Sequence, residues 1–249
     1  MISGRTTIPL TATELLFSAT LLIIAYLVRG ITGFGSGLII IPTLALLLPV
    51  TTVVPMVGLL DFAASLSHGV KHHRQILWRE LLPLLPFSMF GVASALYLFH
   101  TLNPELLSRL LGGFVLGYAL YTLFGKASSN IVSRWWSIPG GFFAGSVGTL
   151  FGTGGPFYVT YLQLRGIDKS HFRATIALIF LLDGCSRITG YTLTGVYTEE
   201  TILLTLSAMP LMFIALYLGG RIHTTITQAQ FRKGISILLT ISGITLILH

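Results

Sequence analysis

Gly30-Ile31-Thr32-Gly33-Phe34-Gly35-Ser36-Gly37 interrupts an apolar stretch near the start of this chain. A second run, Gly148-Thr149-Leu150-Phe151-Gly152-Thr153-Gly154-Gly155-Pro156, does the same in the other half. Glycine at this density breaks a helix and lets the backbone turn sharply. Backbone left unpaired in lipid costs several kcal/mol per group, so a break within a bilayer must face protein or a watery cavity. The two runs align: Phe34-Gly35-Ser36-Gly37 matches Phe151-Gly152-Thr153-Gly154.

The rest of the chain supplies the bilayer context. Of 249 residues, 53% are hydrophobic and 9% charged, and mean hydropathy is +0.84. A soluble domain carries about 25% charged residues, so this chain cannot cover a water-soluble globule with polar surface. Apolar runs recur from Leu15 to Leu248 and leave no separate soluble domain. The net charge of +7 would suggest nucleic acid in a soluble protein. Here the collection of Lys and Arg in cytoplasmic loops explains it, and no nucleic-acid partner is expected. The single cysteine, Cys185, excludes an intrachain disulfide or a multi-cysteine metal site and reads as a buried, unreactive thiol. Leu15 to Val28 has the length of a signal-peptide core, but its flanks are wrong, so it reads as retained.

Ten hydrophobic segments follow, at 14–28, 36–48, 51–68, 80–99, 105–124, 135–150, 153–165, 171–191, 199–218 and 230–248. A crossing takes about 20 residues. The first two segments of each half fall short of that, and each such pair meets at a glycine break. In each half a proline-bearing segment comes later (Pro83 and Pro86; Pro210), followed by a last span preceded by Arg109 or Arg232. The expected fold is an all-α polytopic bundle of two five-segment repeats within one membrane domain. The first repeat is 1–125, a cytoplasmic linker is 126–134, and the second repeat is 135–249.

Charge sets the orientation. The basic positions are Lys71-His72-His73-Arg74 with Arg79, then Lys126 and Arg134, then Arg165, Lys169 and Arg173, and finally Arg221, Arg232 and Lys233. With these inside, each glycine-joined pair enters and leaves on one side, and only Arg5 and Arg109 lie near the outer surface. The second repeat is then inverted relative to the first, an arrangement common in secondary transporters.

Three kinds of residue carry candidate chemistry. A half-helix starting just after Gly37 or Gly155 points free N–H groups and a positive dipole end at the bundle centre, where anions bind. Gly33, Gly35, Gly152 and Gly154 shape these ends, and Thr32, Ser36 and Thr153 add hydroxyls. The alternative is that the glycines only let helices pack closely. Intramembrane charge comes next, because each such group costs about 2.5 kcal/mol or more on insertion scales. Asp183 and Arg187 are spaced i, i+4, and form either a packing ion pair or a substrate-facing guanidinium tuned by a carboxylate. Asp61 has no partner in its own segment, although His68 lies two turns on, so Asp61 and Asp183 are candidates for proton coupling. Arg29 edges the first break and either holds an anion there or snorkels to an interface. The histidines His72 and His73 add cytoplasmic charge. No cofactor, no metal-ligand spacing, no dinucleotide fingerprint, no P-loop and no catalytic triad is read.

At the glycine runs the sequence resembles a known family. Gly30 to Gly37, with the apolar run to Pro42 and the degenerate partner Gly145 to Pro156, is similar to the TauE/SafE sulfite exporters, also called the toluene-sulfonate uptake permease family. The resemblance covers nearly the whole chain. It implies a plasma-membrane carrier in a bacterial inner membrane that exports sulfite or an organosulfonate such as sulfoacetate, with the two breaks flanking the path. The expectation is therefore a secondary transporter, not an enzyme, whose partners are a small anion and the lipid bilayer, with a homodimer allowed. The substrate ligands are expected among Arg29, Thr32, Gly33, Gly35, Ser36, Gly37, Gly152, Thr153, Gly154, Gly155 and Arg187. The rivals are a passive anion channel, a membrane enzyme acting on lipid head groups, and a membrane sensor.

Overall fold

A computed structural model of the chain describes residues 11–68, 75–124, 131–222 and 228–248. Helix α1 (Ala12–Thr32) stops at Gly33, whose φ is 85°, and α2 (Ser36–Leu44) starts from Gly35, at φ 98°. Only glycine enters this left-handed region without a Cβ penalty, so these two residues turn the chain back on itself. Then follow α3 (Val50–His68), α4 (Trp78–Thr101), α5 (Pro104–Phe124), α6 (Ser137–Phe151), α7 (Gly155–Leu164), α8 (Lys169–Leu193), α9 (Glu199–Arg221) and α10 (Gln228–Leu248). No strand occurs among the described residues. Each segment drawn from sequence is a helix whose ends lie within about one turn of the expected ones.

One expectation fails. The first segment is not a short half-crossing, since α1 has 21 residues and is long and apolar enough to span. It begins early because Thr11 and Glu14 form a reciprocal capping box. It runs through Gly30 because that glycine packs flat against α9. A Cβ there would lie 2.8 Å from the Cα of Gly219. The helices that remain short are α2, α6 and α7, at 9, 15 and 10 residues.

Helices α1, α4, α5, α9 and the Ala174–Leu193 part of α8 are each long and apolar enough to cross a bilayer. Leu16, Phe90, Leu203 and Ile241 point outward from their helices, largely exposed, as the lipid face of a multi-pass membrane protein requires. Cys185 also faces outward, exposed, which corrects its expected burial. In a membrane helix an apolar neighbourhood marks the lipid side as readily as the core.

The packing has a pattern. Helix α1 lies on α9 and α6 on α4; α3 meets α8 and α9, while α8 meets α3 and α4; α5 lies on α10. Exchanging the two sets of five helices maps these contacts onto themselves, whereas those of α2 with α5 and α10 and of α3 with α5 and α6 have no counterpart of similar extent. Small residues permit the close approaches. A Cβ on Gly112 would lie 2.9 Å from the carbonyl oxygen of Gly243, and one on Gly243 equally close to that of Gly112. Gly141 on α6 sits against the Leu84 carbonyl of α4 in the same way.

The positions Arg5, Lys71, His72, His73, Arg74 and Lys126 lie outside the described residues, as do the side chains of His68, Lys169, Arg173, Arg232 and Lys233.

Candidate functional site

The two breaks touch. A Cβ on Gly37 would come within 2.7 Å of the Gly152 carbonyl oxygen, so the first turn of α2 can cross the end of α6 only as glycine. Gly152 itself ends α6 at φ 63°. Around this crossing lies a cavity of about 50 Å³. Gly35, Gly37, Gly152, Thr153, Gly154 and Gly155 line it, together with Arg29, Asp61, Asp183 and Arg187. Phe34, Phe62 and Phe180 form its apolar wall. Residues from both halves of the sequence thus meet at one place.

No side chain caps the N-terminus of α2 or of α7. Each end faces the cavity and brings the equivalent of about half a positive charge. The orphan N–H groups of a first helical turn need an acceptor.

The first half surrounds Asp61. Arg29 Nη1 stands 2.6 Å from Asp61 Oδ1 and donates to Ser36 Oγ at 2.9 Å. Its Nη2 donates to the Asp61 carbonyl at 3.0 Å and to Ser65 Oγ at 2.9 Å. Tyr26 and Ser36 each donate to Asp61 Oδ1 at 2.8 Å. Arg29 is buried and its two terminal nitrogens are filled, so it does not snorkel. Thr32 and Gly33 do not line the cavity. The Thr32 hydroxyl lies 2.9 Å from the Val28 carbonyl and 2.7 Å from that of Phe34, where it closes the turn. The Ser36 proton points to Asp61 and away from the cavity.

The second half is built from other elements. Asp183 and Arg187 do pair one turn apart, with Arg187 Nε 3.1 Å from Asp183 Oδ2. That nitrogen is nevertheless buried without an aligned hydrogen bond. Arg187 Nη1 donates to the Gly148 carbonyl at 2.6 Å, and Nη2 has no partner among the described residues. Thr153 is 3% exposed, lines the cavity, and its hydroxyl is unpartnered. On its other side Asp183 Oδ1 accepts from Tyr158 at 2.7 Å and from Ser88 at 3.1 Å.

With both carboxylates ionised the four charged side chains cancel, and the two helix ends leave the cavity positive by about one charge. Such a site attracts a small anion. The room is that of roughly three to five waters, taking about 10–15 Å³ for each.

Several members of this arrangement escaped the sequence reading. Tyr26 carried a signal, since it lies i−3 from Arg29 on an otherwise apolar face. Ser88, Tyr158 and Ser65 carried none. Nor did the reading single out Glu80, a buried carboxylate at the start of α4. It accepts from Tyr161 at 2.8 Å, from Arg134 Nε at 3.0 Å and from Arg165 at 3.0 and 3.1 Å. This cluster ties the end of α7 to α4 outside the cavity.

Comparison with known proteins now adds to this geometry. The chain is 28% identical over 196 residues to the "Probable inner membrane transporter protein TsaS" of Comamonas testosteroni, covering 78% of this chain and 82% of that protein. It is 22% identical over 254 residues to a "Probable membrane transporter protein" of Haemophilus influenzae, covering 90% of this chain and 95% of that one. No solved structure matches. The profile of the family described as sulfite exporter TauE/SafE matches residues 18–246. A match running from α1 to α10 takes in both breaks and every residue that lines the cavity, so this chain belongs to the sulfite exporter TauE/SafE family of membrane transporters.

Proposed function

We propose that this chain is a secondary carrier that moves a small sulfur oxyanion, sulfite or a short organosulfonate such as sulfoacetate, out across a bacterial inner membrane. Two inverted five-helix repeats, 1–125 and 135–249, form the carrier, and the self-mapping of the helix contacts supports this division. The anion lies between the breaks, on Arg187, the Thr153 hydroxyl and the Gly155 N–H at the start of α7. One observation carries the reading. The buried Thr153 hydroxyl has no partner, and Arg187 Nε meets only a misaligned carboxylate, beside an uncapped helix N-terminus. Unsatisfied buried donors cost about 1–3 kcal/mol each, and an anion satisfies all of them at once. Arg29, with its terminal nitrogens filled, positions Asp61 and the first break instead of holding the anion. The small cavity favours sulfite in this closed form, and a bulkier sulfonate needs the repeats to rock apart.

The test is flux of labelled sulfite and sulfoacetate into liposomes holding the purified chain. Saturable flux is expected, together with counterflow, in which substrate trapped inside speeds uptake of label. Flux without counterflow makes the protein a channel, and no flux of either anion removes the substrate class.

A further inference from the structure

The proposed carrier has two carboxylates at its centre, and hydrogen counting separates them. Around Asp61 Oδ1, Arg29, Tyr26 and Ser36 make three contacts and bring three hydrogens. Asp61 is also the counter-charge of Arg29, which no other carboxylate reaches among the described residues. A proton on Asp61 would strand a buried guanidinium.

Asp183 is different. Ser88 Oγ and Tyr158 Oη lie 2.6 Å apart, Tyr158 is 2.7 Å from Asp183 Oδ1, and Ser88 is 3.1 Å from the same oxygen. This is a closed triangle of three oxygens, all buried. With Asp183 ionised, Ser88 and Tyr158 supply two hydrogens for three edges, and one edge sets lone pair against lone pair. A proton on Asp183 completes the ring. It leaves Arg187 with its bond to the Gly148 carbonyl and with a charge that an anion in the cavity it lines can offset.

We infer that Asp183 is the proton-carrying carboxylate of this protein, with Ser88 and Tyr158 as the residues that position its proton and Arg187 as the charge that the proton releases for the anion. The inference rests on the anion-carrier reading. The titratable and charged groups facing Asp183 are Tyr158 on α7, Arg187 and Tyr191 on α8, and, across the cavity, Asp61 on α3 and Arg29 on α1. Helix α4 offers only the Ser88 hydroxyl and α6 only the Gly148 carbonyl. With Asp183 ionised the side-chain charges of the site cancel; with it protonated they sum to one positive charge. Proton and monoanion therefore favour each other's binding, and the coupling is reciprocal. With a monoanion such as hydrogen sulfite bound, the loaded site is neutral apart from its helix ends.

Two measurements on the full-length protein in liposomes decide this. The first is an infrared pH titration, which reads the C=O stretch of a protonated carboxyl and needs no substrate. Over the acidifying range of the titration, the wild type is expected to gain a band that Asp183→Asn lacks. Tyr158→Phe and Ser88→Ala should shift that band in frequency, an effect that loss of packing alone does not produce. If the wild type and Asp183→Asn give the same carboxyl bands across that range, the inference is overturned. The second is the ratio of sulfite flux with an imposed pH gradient to flux without one. A ratio above one in the wild type should fall to one in Asp183→Asn. A wild-type ratio of one, or an unchanged ratio in the variant, overturns the inference while leaving the anion reading in place. Absence of any flux counts against the anion reading alone, and the infrared bands still decide the proton's address.

Discussion

Arg29 and Arg187 face one cavity from opposite halves of the sequence, yet their surroundings differ in kind. Arg29 is held by Asp61, Ser36 and Ser65, which come from two other helices, and both its terminal nitrogens are filled. Arg187 leans on a carboxylate of its own helix without an aligned hydrogen bond and gives one bond to a backbone carbonyl. The first arrangement resembles a structural joint and the second an incomplete ligand shell. In the proposed pair of repeats, a duplicated scaffold has no need of a duplicated binding site. One half can hold the crossing of the breaks rigid while the other half does the binding.

The largest effect should come from breaking the joint. Asp61→Ala leaves the Arg29 guanidinium buried and uncompensated, which costs about 3–5 kcal/mol in comparable cases. In detergent this should appear as lost monodisperse protein or a much lower unfolding temperature. Replacing Arg29 and Asp61 together by apolar residues should recover much of that stability. If Asp61→Ala melts like the wild type, Arg29 is not the closed joint described above.

The contrasting variant is Arg187→Gln. Charge-assisted hydrogen bonds contribute about 1.5–3 kcal/mol each, so anion affinity should fall roughly 10- to 100-fold while the fold survives. Protein that melts normally and transports with unchanged affinity would remove Arg187 from the site and with it the division between the halves.

Gly37 sharpens the comparison at the crossing itself. Gly37→Ala introduces no backbone strain, but its methyl would meet the Gly152 carbonyl at 2.7 Å. Overpacking of this kind costs about 1–3 kcal/mol. Gly33→Ala has open space around it and suffers only its left-handed φ of 85°, about 1–2 kcal/mol. Transport should therefore separate the two where stability does not. Gly37→Ala should slow it by moving one break off the other, and Gly33→Ala should leave flux per folded molecule close to that of the wild type.

How much of this was legible in the sequence follows from what lipid does to a pattern. Segment lengths and glycine runs survive in one dimension, so ten helices and two breaks could be read directly. The i, i+4 relation of Asp183 and Arg187 is local and was readable too. The pairing of Arg29 with Asp61 spans three helices and leaves no local trace. The facing of Ser88 and Tyr158 was equally hidden, because both faces of a membrane helix are apolar and no polar side marks the inward direction. Cys185 was misplaced for that reason, since its apolar neighbours belong to the lipid face. Glu80 stood at the edge of a segment, where a carboxylate is expected to be solvated, and only the fold brings Arg134, Arg165 and Tyr161 to it.

The smallest predicted effect tests the comparison most closely, because Thr153 and Ser36 occupy matching positions in the two breaks. Ser36 accepts from Arg29 and donates to Asp61, whereas the Thr153 hydroxyl is buried and unpartnered. Thr153→Val keeps the shape and removes only that hydroxyl, so stability should hold or rise slightly. Anion affinity should drop by the worth of one hydrogen bond, about 0.5–1.5 kcal/mol, or a few-fold. Ser36→Ala should do the reverse, lowering the unfolding temperature by stripping partners from a buried ion pair while changing affinity less. Paired melts and flux titrations of the two variants read both quantities. If Thr153→Val loses stability without losing affinity, its hydroxyl has a structural partner that outweighs any anion. The two halves would then be alike after all.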